Sequence, residues 1–410
     1  MTKRTTTLAL LILAAVAALV AVVPASAQDQ HPVPPATRFC GQGGSPAAPT
    51  NGVDARGTNP NAPNPLAGLP LYVNKINDPS YDQERSYQRQ GHVAKAALVA
   101  RIAERPRGVW FGRFTSPHFT EKVKNFLNCA QWMEPGSVPV MDVMRALGQE
   151  CNPHYTAGGA AEDARTRKWY RDFAAAVGSA RVIIAYEPDS IGTISCLAKS
   201  RRKARLKLLR YGVDVLSKLP NATIYLEGSA SDWKSPSYTA RTLKRIGISK
   251  VRGFMVNVTH FDWTINNVRY GQKVSRKLGG KPFVVSTSYN GRGPVHYKTS
   301  KHGRRINVFC NVRYRGLGPV PTTNTGFKKV DAFLWLNRPG ISGAGSCNGA
   351  PKNGAWWPAR ALMFAKYATS YLGPPRGTKF GFSKRISLCR LGAPMNGRYQ
   401  RSSPEHRCKH

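Results

Sequence analysis

The sequence predicts an α/β fold, a parallel (β/α) barrel of seven strand and helix units, and three observations carry that reading. Short apolar or β-branched runs recur with starts about 30 to 50 residues apart, the interval of a strand, a loop and a crossover helix. Amphipathic stretches with apolar residues at three- and four-residue spacing fill the gaps between them. The chain has 410 residues, 41% of them hydrophobic, enough for a sizeable core and too apolar for a disordered polymer.

Taken in order, the chain opens on the unbroken apolar run Leu8 to Val23, preceded by Lys3 and Arg4 and followed by Pro24-Ala25-Ser26-Ala27. The last three have the A-x-A form of a signal-peptidase site, so residues 1–27 are expected to be a cleaved secretory signal. A retained anchor is the weaker alternative, because the run falls short of the roughly 20 residues a spanning helix needs. Residues 28–65 are rich in Pro, Gly, Asn and Ala without apolar periodicity, and read as a linker or a loosely draped arm. The barrel is expected over 66–385. Its strands are Val109 to Gly112, Val138 to Val143, Val182 to Tyr186, Ala222 to Leu226, Val251 to Val258, Phe283 to Ser286 and Ala332 to Leu336. Helices are expected at Arg165 to Val177 and Leu197 to Leu219. The second carries Lys199, Arg201, Arg202, Lys203, Arg205, Lys207 and Arg210, read as a solvated outer face because only Tyr211 lies near for base stacking. Residues 386–410 form a basic tail with Cys389 and Cys408, expected to wrap the surface under a disulfide.

Charge and cysteine content narrow the setting. Lys and Arg number 61 against 21 Asp and Glu, a net charge of +40. Loss of the leader leaves 59 basic residues against 21 acidic ones. Such a surface attracts polyanions, among them cell-wall polymers and acidic polysaccharides, besides keeping the protein soluble. Specific nucleic-acid binding is not expected, since no recognition motif supports it. Eight cysteines in a secreted chain imply disulfides, whose pairing spacing alone does not give. No phosphate-binding loop, dinucleotide fingerprint or H-E-x-x-H is present, and Gly340-Ile341-Ser342-Gly343 is only a partial nucleophile elbow. His296 and His302 sit in a basic loop and read as solvated, so neither cofactor nor metal is expected. The secreted protein is expected to be a monomer without a membrane span.

In a parallel barrel the active site lies at the carboxyl ends of the strands. Beyond the apolar runs stand Glu150, then Glu187-Pro188-Asp189-Ser190, Glu227, His260 with Asp262, and Ser288 with Asn290. Carboxylates together with Trp110, Trp233, Trp335, Trp356 and Trp357 suit a carbohydrate, whose rings pack on indoles and whose hydroxyls and glycosidic oxygen engage acids. Core packing is at least as good an account of any one tryptophan.

At this point a family resemblance emerges. Tyr186-Glu187-Pro188-Asp189-Ser190, Tyr225-Leu226-Glu227-Gly228 with Trp233, Gly253 to Val258, Ser286 to Gly291 and Pro321 to Gly326 follow one another as in glycoside hydrolase family 6. The resemblance runs from about Asn64 to Tyr371. It implies a distorted seven-stranded barrel of the TIM type that cleaves β-1,4-glucan with inversion. It further implies Asp189 as general acid, Trp110 as a sugar-stacking residue and the disulfides Cys151–Cys196 and Cys310–Cys347, while Trp233, Asn290 and Trp335 are the further candidate substrate contacts.

Departures from the pattern bear on activity. The family's Tyr-x-x-Pro-x-Arg-Asp-Cys stands here as Met144 to Cys151, with Glu150 for the aspartate. Its Tyr-Leu-Asp-Ala-Gly-His is Tyr225 to Ala230, with Glu227 for the aspartate and no histidine. Its Lys-x-Pro-Gly-Glu-Ser-Asp-Gly is Asn337 to Ala344, where Gly343 or Ala344 replaces the base, Asn337 the lysine and Ile341 the glutamate. Glu150 and Glu227 become the candidate supporting or replacement carboxylates. Two functions therefore compete: a secreted inverting glucanase with an altered base, and an impaired protein that binds glycan or cell wall on the same fold.

Overall fold

The structure is a computed structural model that describes residues 40, 53–115, 117–146, 158–294, 296–298, 305–307, 311–343 and 349–375. The expected signal, the tail 386–410, Glu150, Cys151, Cys310 and Cys347 lie outside the described residues. Among the described residues no helix is long and apolar enough to cross a membrane.

Nine strands and eight α-helices are described. Strands β1 (Val109–Gly112), β2 (Val140–Met144), β3 (Val182–Tyr186), β4 (Ala222–Glu227), β5 (Gly253–Val256), β6 (Phe283–Ser286) and β9 (Val330–Leu334) form one sheet in that order, while β7 (His296–Lys298) and β8 (Arg305–Asn307) form a separate antiparallel pair. All six ladders of the seven-stranded sheet are parallel. The helices are α1 (Pro79–Arg89), α2 (Val93–Ala103), α3 (Phe119–Met133), α4 (Ala160–Val177), α5 (Lys199–Leu216), α6 (Pro236–Ile246), α7 (Thr264–Lys277) and α8 (Pro358–Lys366). The predicted barrel is thus present, as a sheet curled on itself. No ladder joins β1 to β9 among the described residues. Their seam is bridged by Gly108 N–H to the Trp335 carbonyl at 2.8 Å and by the Trp110 indole N–H to the Leu336 carbonyl at 2.8 Å.

Strands covered on both faces read as continuous apolar runs, which is why these segments stood out in the sequence. One face of each fills the barrel: Val140, Ile183, Ala185, Tyr225, Met255, Val284, Ala332 and Leu334 pack there around Leu66. The alternate residues, among them Met141, Ile184, Leu226, Phe254 and Val285, meet the surrounding helices. On α5 the basic run divides. Lys203, Lys207 and Arg210 are exposed as expected, whereas Arg205 is buried and Arg201 bonds Asp163 at 2.9 Å, because Leu206, Leu209 and Val213 set the inward face.

The amino ends of the strands are closed by residues 53–65. Their backbone carbonyls accept from side chains at the strand entrances: Arg181 to Pro65 at 2.8 Å, Thr223 to Ala55 at 2.6 Å, Lys281 to Thr58 at 2.6 Å and Lys329 to Pro60 at 2.6 Å. Deeper inside, Arg252 grips both carboxylate oxygens of Asp331 at 2.8 and 2.9 Å, and Tyr225 donates to the same carboxylate at 2.7 Å. A disulfide joins Cys40 to Cys129 of α3, two cysteines that sequence left without partners.

Candidate active site

The carboxyl ends of β3, β4 and β5 carry the site, and each leaves its strand through strained backbone. Glu187 and Asp189 follow β3 at φ of 55° and 67°, Ser229 follows β4 at 66° and Asn257 follows β5 at 68°. Such conformations persist only where surrounding bonds over-determine them. Here they do. The buried Glu187 carboxylate accepts Arg145 N–H at 2.9 Å, Ala146 N–H at 3.0 Å and the Tyr170 hydroxyl at 2.6 Å, which ties the exit of β2 to that of β3. Ser229 N–H donates to Glu227 Oε1 at 2.5 Å, and Asn257 N–H donates to the Ser229 carbonyl at 2.9 Å.

Asp189 lies close enough to Glu227 for its charge to act on that carboxyl. Asp189 is half-buried, and its Oδ1 accepts the Thr259 hydroxyl at 2.6 Å. Burial raises its pKa from the ordinary value, while the Thr259 bond and the charge of His260 act in the opposite direction. Glu227 is buried, and burial, reinforced by the charge of Asp189, pushes its carboxyl well above the ordinary range. Burial thus favours the neutral form of both carboxyls.

Beside the pair stands a second group. His260 Nδ1 lies 2.7 Å from Asp232 Oδ1, and its ring stacks on Trp233 with centroids 4.9 Å apart. Burial disfavours the imidazolium, but Asp232, Asp189 and Asp262 together outweigh it and the pKa rises. Trp233 itself is half-buried against Gly192, where an added Cβ would meet the indole at 2.2 Å. Asp262 accepts the Ser231 hydroxyl at 2.5 Å and Trp263 N–H at 2.8 Å.

Of the residues the sequence nominated, Asp189, Glu227 and Trp233 lie together with His260 and Asp262. Asn290 stands at the same end but is wholly buried, its amide donating to the Asp262 carbonyl at 3.2 Å and Thr264 Oγ1 at 3.0 Å; it holds loops rather than facing the cleft. Trp335 is a core residue, 2% exposed, with its indole N–H on the Pro319 carbonyl at 2.9 Å. Trp110 is half-buried at the seam. Cys196 lies in the 3₁₀ turn Ile194–Cys196.

Two acids escaped the sequence reading. Asp232 follows β4 five residues beyond Glu227, and inspection of the loop past the first acid would have found it. Asp142 was hidden inside an apolar run. It lies mid-strand in β2, 0% exposed, with no hydrogen bond to either carboxylate oxygen, and an added Cβ on Gly108 would meet it at 1.7 Å.

A parallel barrel that gathers neighbouring carboxylates and an indole at the carboxyl ends of its strands has the form of a glycoside hydrolase. The chain belongs to the Glycosyl hydrolases family 6, whose sequence model matches residues 66–368. Endoglucanase A of Cellulomonas fimi is 30% identical over 307 residues, covering 75% of this chain and 62% of that protein. Endoglucanase 1 of Streptomyces sp. (strain KSM-9) is 32% identical over 277 residues, covering 66% and 72% respectively. Among solved structures, the endoglucanase Cel6 of Mycobacterium tuberculosis, in complex with methyl-cellobiosyl-4-deoxy-4-thio-β-cellobioside, superposes with a TM-score of 0.64 at 31% identity, covering 74% of this chain and 99% of that one. The endoglucanase Cel6B of Humicola insolens shares the fold with a TM-score of 0.63 at 20% identity, covering 76% of this chain and 100% of that one.

Proposed function

We propose that this protein is a secreted hydrolase of β-1,4-linked glucan that acts by inversion, with Asp189 as the general acid. The observation that carries this reading is the Asp189–Glu227 pair at the carboxyl ends of β3 and β4, and it is supported by a relative of 31% identity that was solved with a thio-linked cello-oligosaccharide. Inversion needs an acid on the leaving oxygen and a carboxylate about 6.5–9.5 Å away to activate water on the opposite face. Asp189 supplies the first role. Burial and the charge of Asp189 push the Glu227 carboxyl well above its ordinary range, so Glu227 suits a supporting carboxyl beside the acid. Thr259 positions the acid, and Trp233 with His260 forms an aromatic wall for the departing sugar.

A second reading is favoured by the loop after β9. Residues 337–343, Asn-Arg-Pro-Gly-Ile-Ser-Gly, contain no acid. General-base assistance is worth roughly 10²–10⁴-fold, so without a substitute such as Glu150 turnover is slow and the protein acts chiefly as a glycan binder. Reducing-sugar release from a panel of β-glucans, comparing wild type with Asp189→Asn, separates the two. Loss of turnover in Asp189→Asn with binding retained is the expected result. Equal hydrolysis by both proteins would remove Asp189 from its role, and binding without hydrolysis by either would favour the glycan-binding reading.

A further inference from the structure

Arg338 differs from the ion-paired buried cations of the barrel. Arg252 is paired with Asp331, Arg107 with Asp78 at 3.1 Å and Arg145 with Glu162 at 2.6 Å. Arg338, half-buried four residues past β9, makes no side-chain hydrogen bond and no ion pair among the described residues. Its guanidinium carbon lies 5.4 Å from the centre of the Trp110 ring. The nearest acids act on it only from a distance: Asp78 is already bonded to Arg107, and burial drives Asp142 toward its neutral form.

The backbone that carries the arginine is held in place. Its N–H donates to Asn337 Oδ1 at 2.9 Å, and its carbonyl accepts the Tyr289 hydroxyl at 3.0 Å and Ile341 N–H at 3.1 Å. Tyr289 is itself clamped between Phe261 and Phe364, at centroid distances of 5.6 and 4.8 Å. A half-desolvated guanidinium without an acceptor among the described residues is unfavourable, and a ligand carboxylate is the group that would relieve it.

We propose that Arg338 and Trp110 form a subsite for a sugar bearing a carboxylate, so that the cleft takes an acidic β-1,4-linked glycan, a glucuronan, in preference to neutral glucan. The proposal rests on the reading of this cleft as a glycan-cleaving site. The C6 carboxylate of a uronosyl unit is planar and matches the two parallel N–H groups of a guanidinium, while the pyranose ring offers an apolar face to the indole. Charge across the cleft fixes direction. Asp189, Asp232 and Asp262 cluster at β3 to β5 and repel a carboxylate, so the uronosyl unit belongs at the β9 and β1 side.

The test is titration calorimetry of wild type, Arg338→Gln and Arg338→Lys with a β-1,4-glucuronic acid tetrasaccharide and with cellotetraose at one pH and ionic strength. Wild type is expected to bind the acidic sugar at least about tenfold more tightly, as a charge-assisted bidentate pair implies. In Arg338→Gln the ratio of the two affinities should fall to near one, and Arg338→Lys, which keeps charge without the fork, should fall between. An unchanged ratio in Arg338→Gln, or tighter binding of cellotetraose by wild type, overturns the proposal. Reducing-end release from cellotetraose, measured on the same preparation, reads the glucanase assignment alone. Activity there without an acidic preference rejects the subsite only, and binding of neither sugar rejects both.

Discussion

Asp142 and Thr259 show how single groups set the chemistry here. Asp142 is a carboxyl enclosed in the barrel without a hydrogen-bond partner, and burial raises its pKa well above the ordinary value despite the charge of Arg338. With the folded pKa raised, the unfolded chain ionises first as pH climbs, so the group lowers stability from about pH 4 upward. Asp142→Val should therefore be more stable than wild type by roughly 1–3 kcal/mol at neutral pH. That advantage should shrink on acidification below about pH 4, where both states hold the proton. Urea unfolding at several pH values measures it, and a pH-independent difference would contradict the burial argument. Thr259 acts on the reaction instead. Its hydroxyl stabilises ionised Asp189, so Thr259→Val should move the alkaline limb of the pH–rate profile for kcat/KM upward. A limb that moves down would show that Asp189 is not the group titrating.

At the scale of elements, the barrel is held at both ends by polar bonds the apolar core does not supply. Glu187 links the exits of β2 and β3, and Arg252 with Tyr225 links β4 and β5 to Asp331 of β9. The Arg252–Asp331 pair is 2% and 4% exposed by side chain, so removing one partner strands a buried charge. Asp331→Ala should lower stability by about 3–5 kcal/mol. Asp331→Asn, which retains an acceptor for Tyr225, should lose less. Thermal unfolding of the two variants checks this, and equal losses would mean that packing rather than charge dominates at the site. Strand ends behave differently, since left-handed Asp189, Ser229 and Asn257 store strain where the acids must be aimed.

For the whole molecule, the disulfide and the closing segment 53–65 connect parts far apart in sequence. Cys40 and Cys129 are separated by 89 residues, a loop long enough for their bond to remove much freedom from the unfolded chain. Replacing both by serine should lower stability by about 2–4 kcal/mol while leaving glucan turnover unchanged, because the bond lies at α3 and not at the strand ends. Denaturant midpoints paired with reducing-sugar assays test both halves, and a parallel loss of activity would show that α3 braces the cleft.

The order and number of barrel strands were legible in the chain because strands buried on both faces must be written as apolar runs, and helix faces as a 3.6-residue period. Glu187-Pro188-Asp189-Ser190 was legible for a related reason: an acid just past an apolar run must emerge at the carboxyl mouth. Local pattern does not report what a side chain meets once the sheet curls. Thus Trp335 and Asn290 were read as substrate contacts, yet tertiary packing placed one in the core and gave the other to the Asp262 carbonyl. Arg205 joined a run of solvated cations in sequence and is buried in the fold. Asp142 sat unnoticed among valines and methionines because one charge does not break an apolar run. The pairing of Cys40 with Cys129 and the partners that raise or oppose the pKa of Asp189 arise from contacts between residues distant in the chain. Those contacts exist only after seven strands have closed around one core, so only the tertiary structure could decide them.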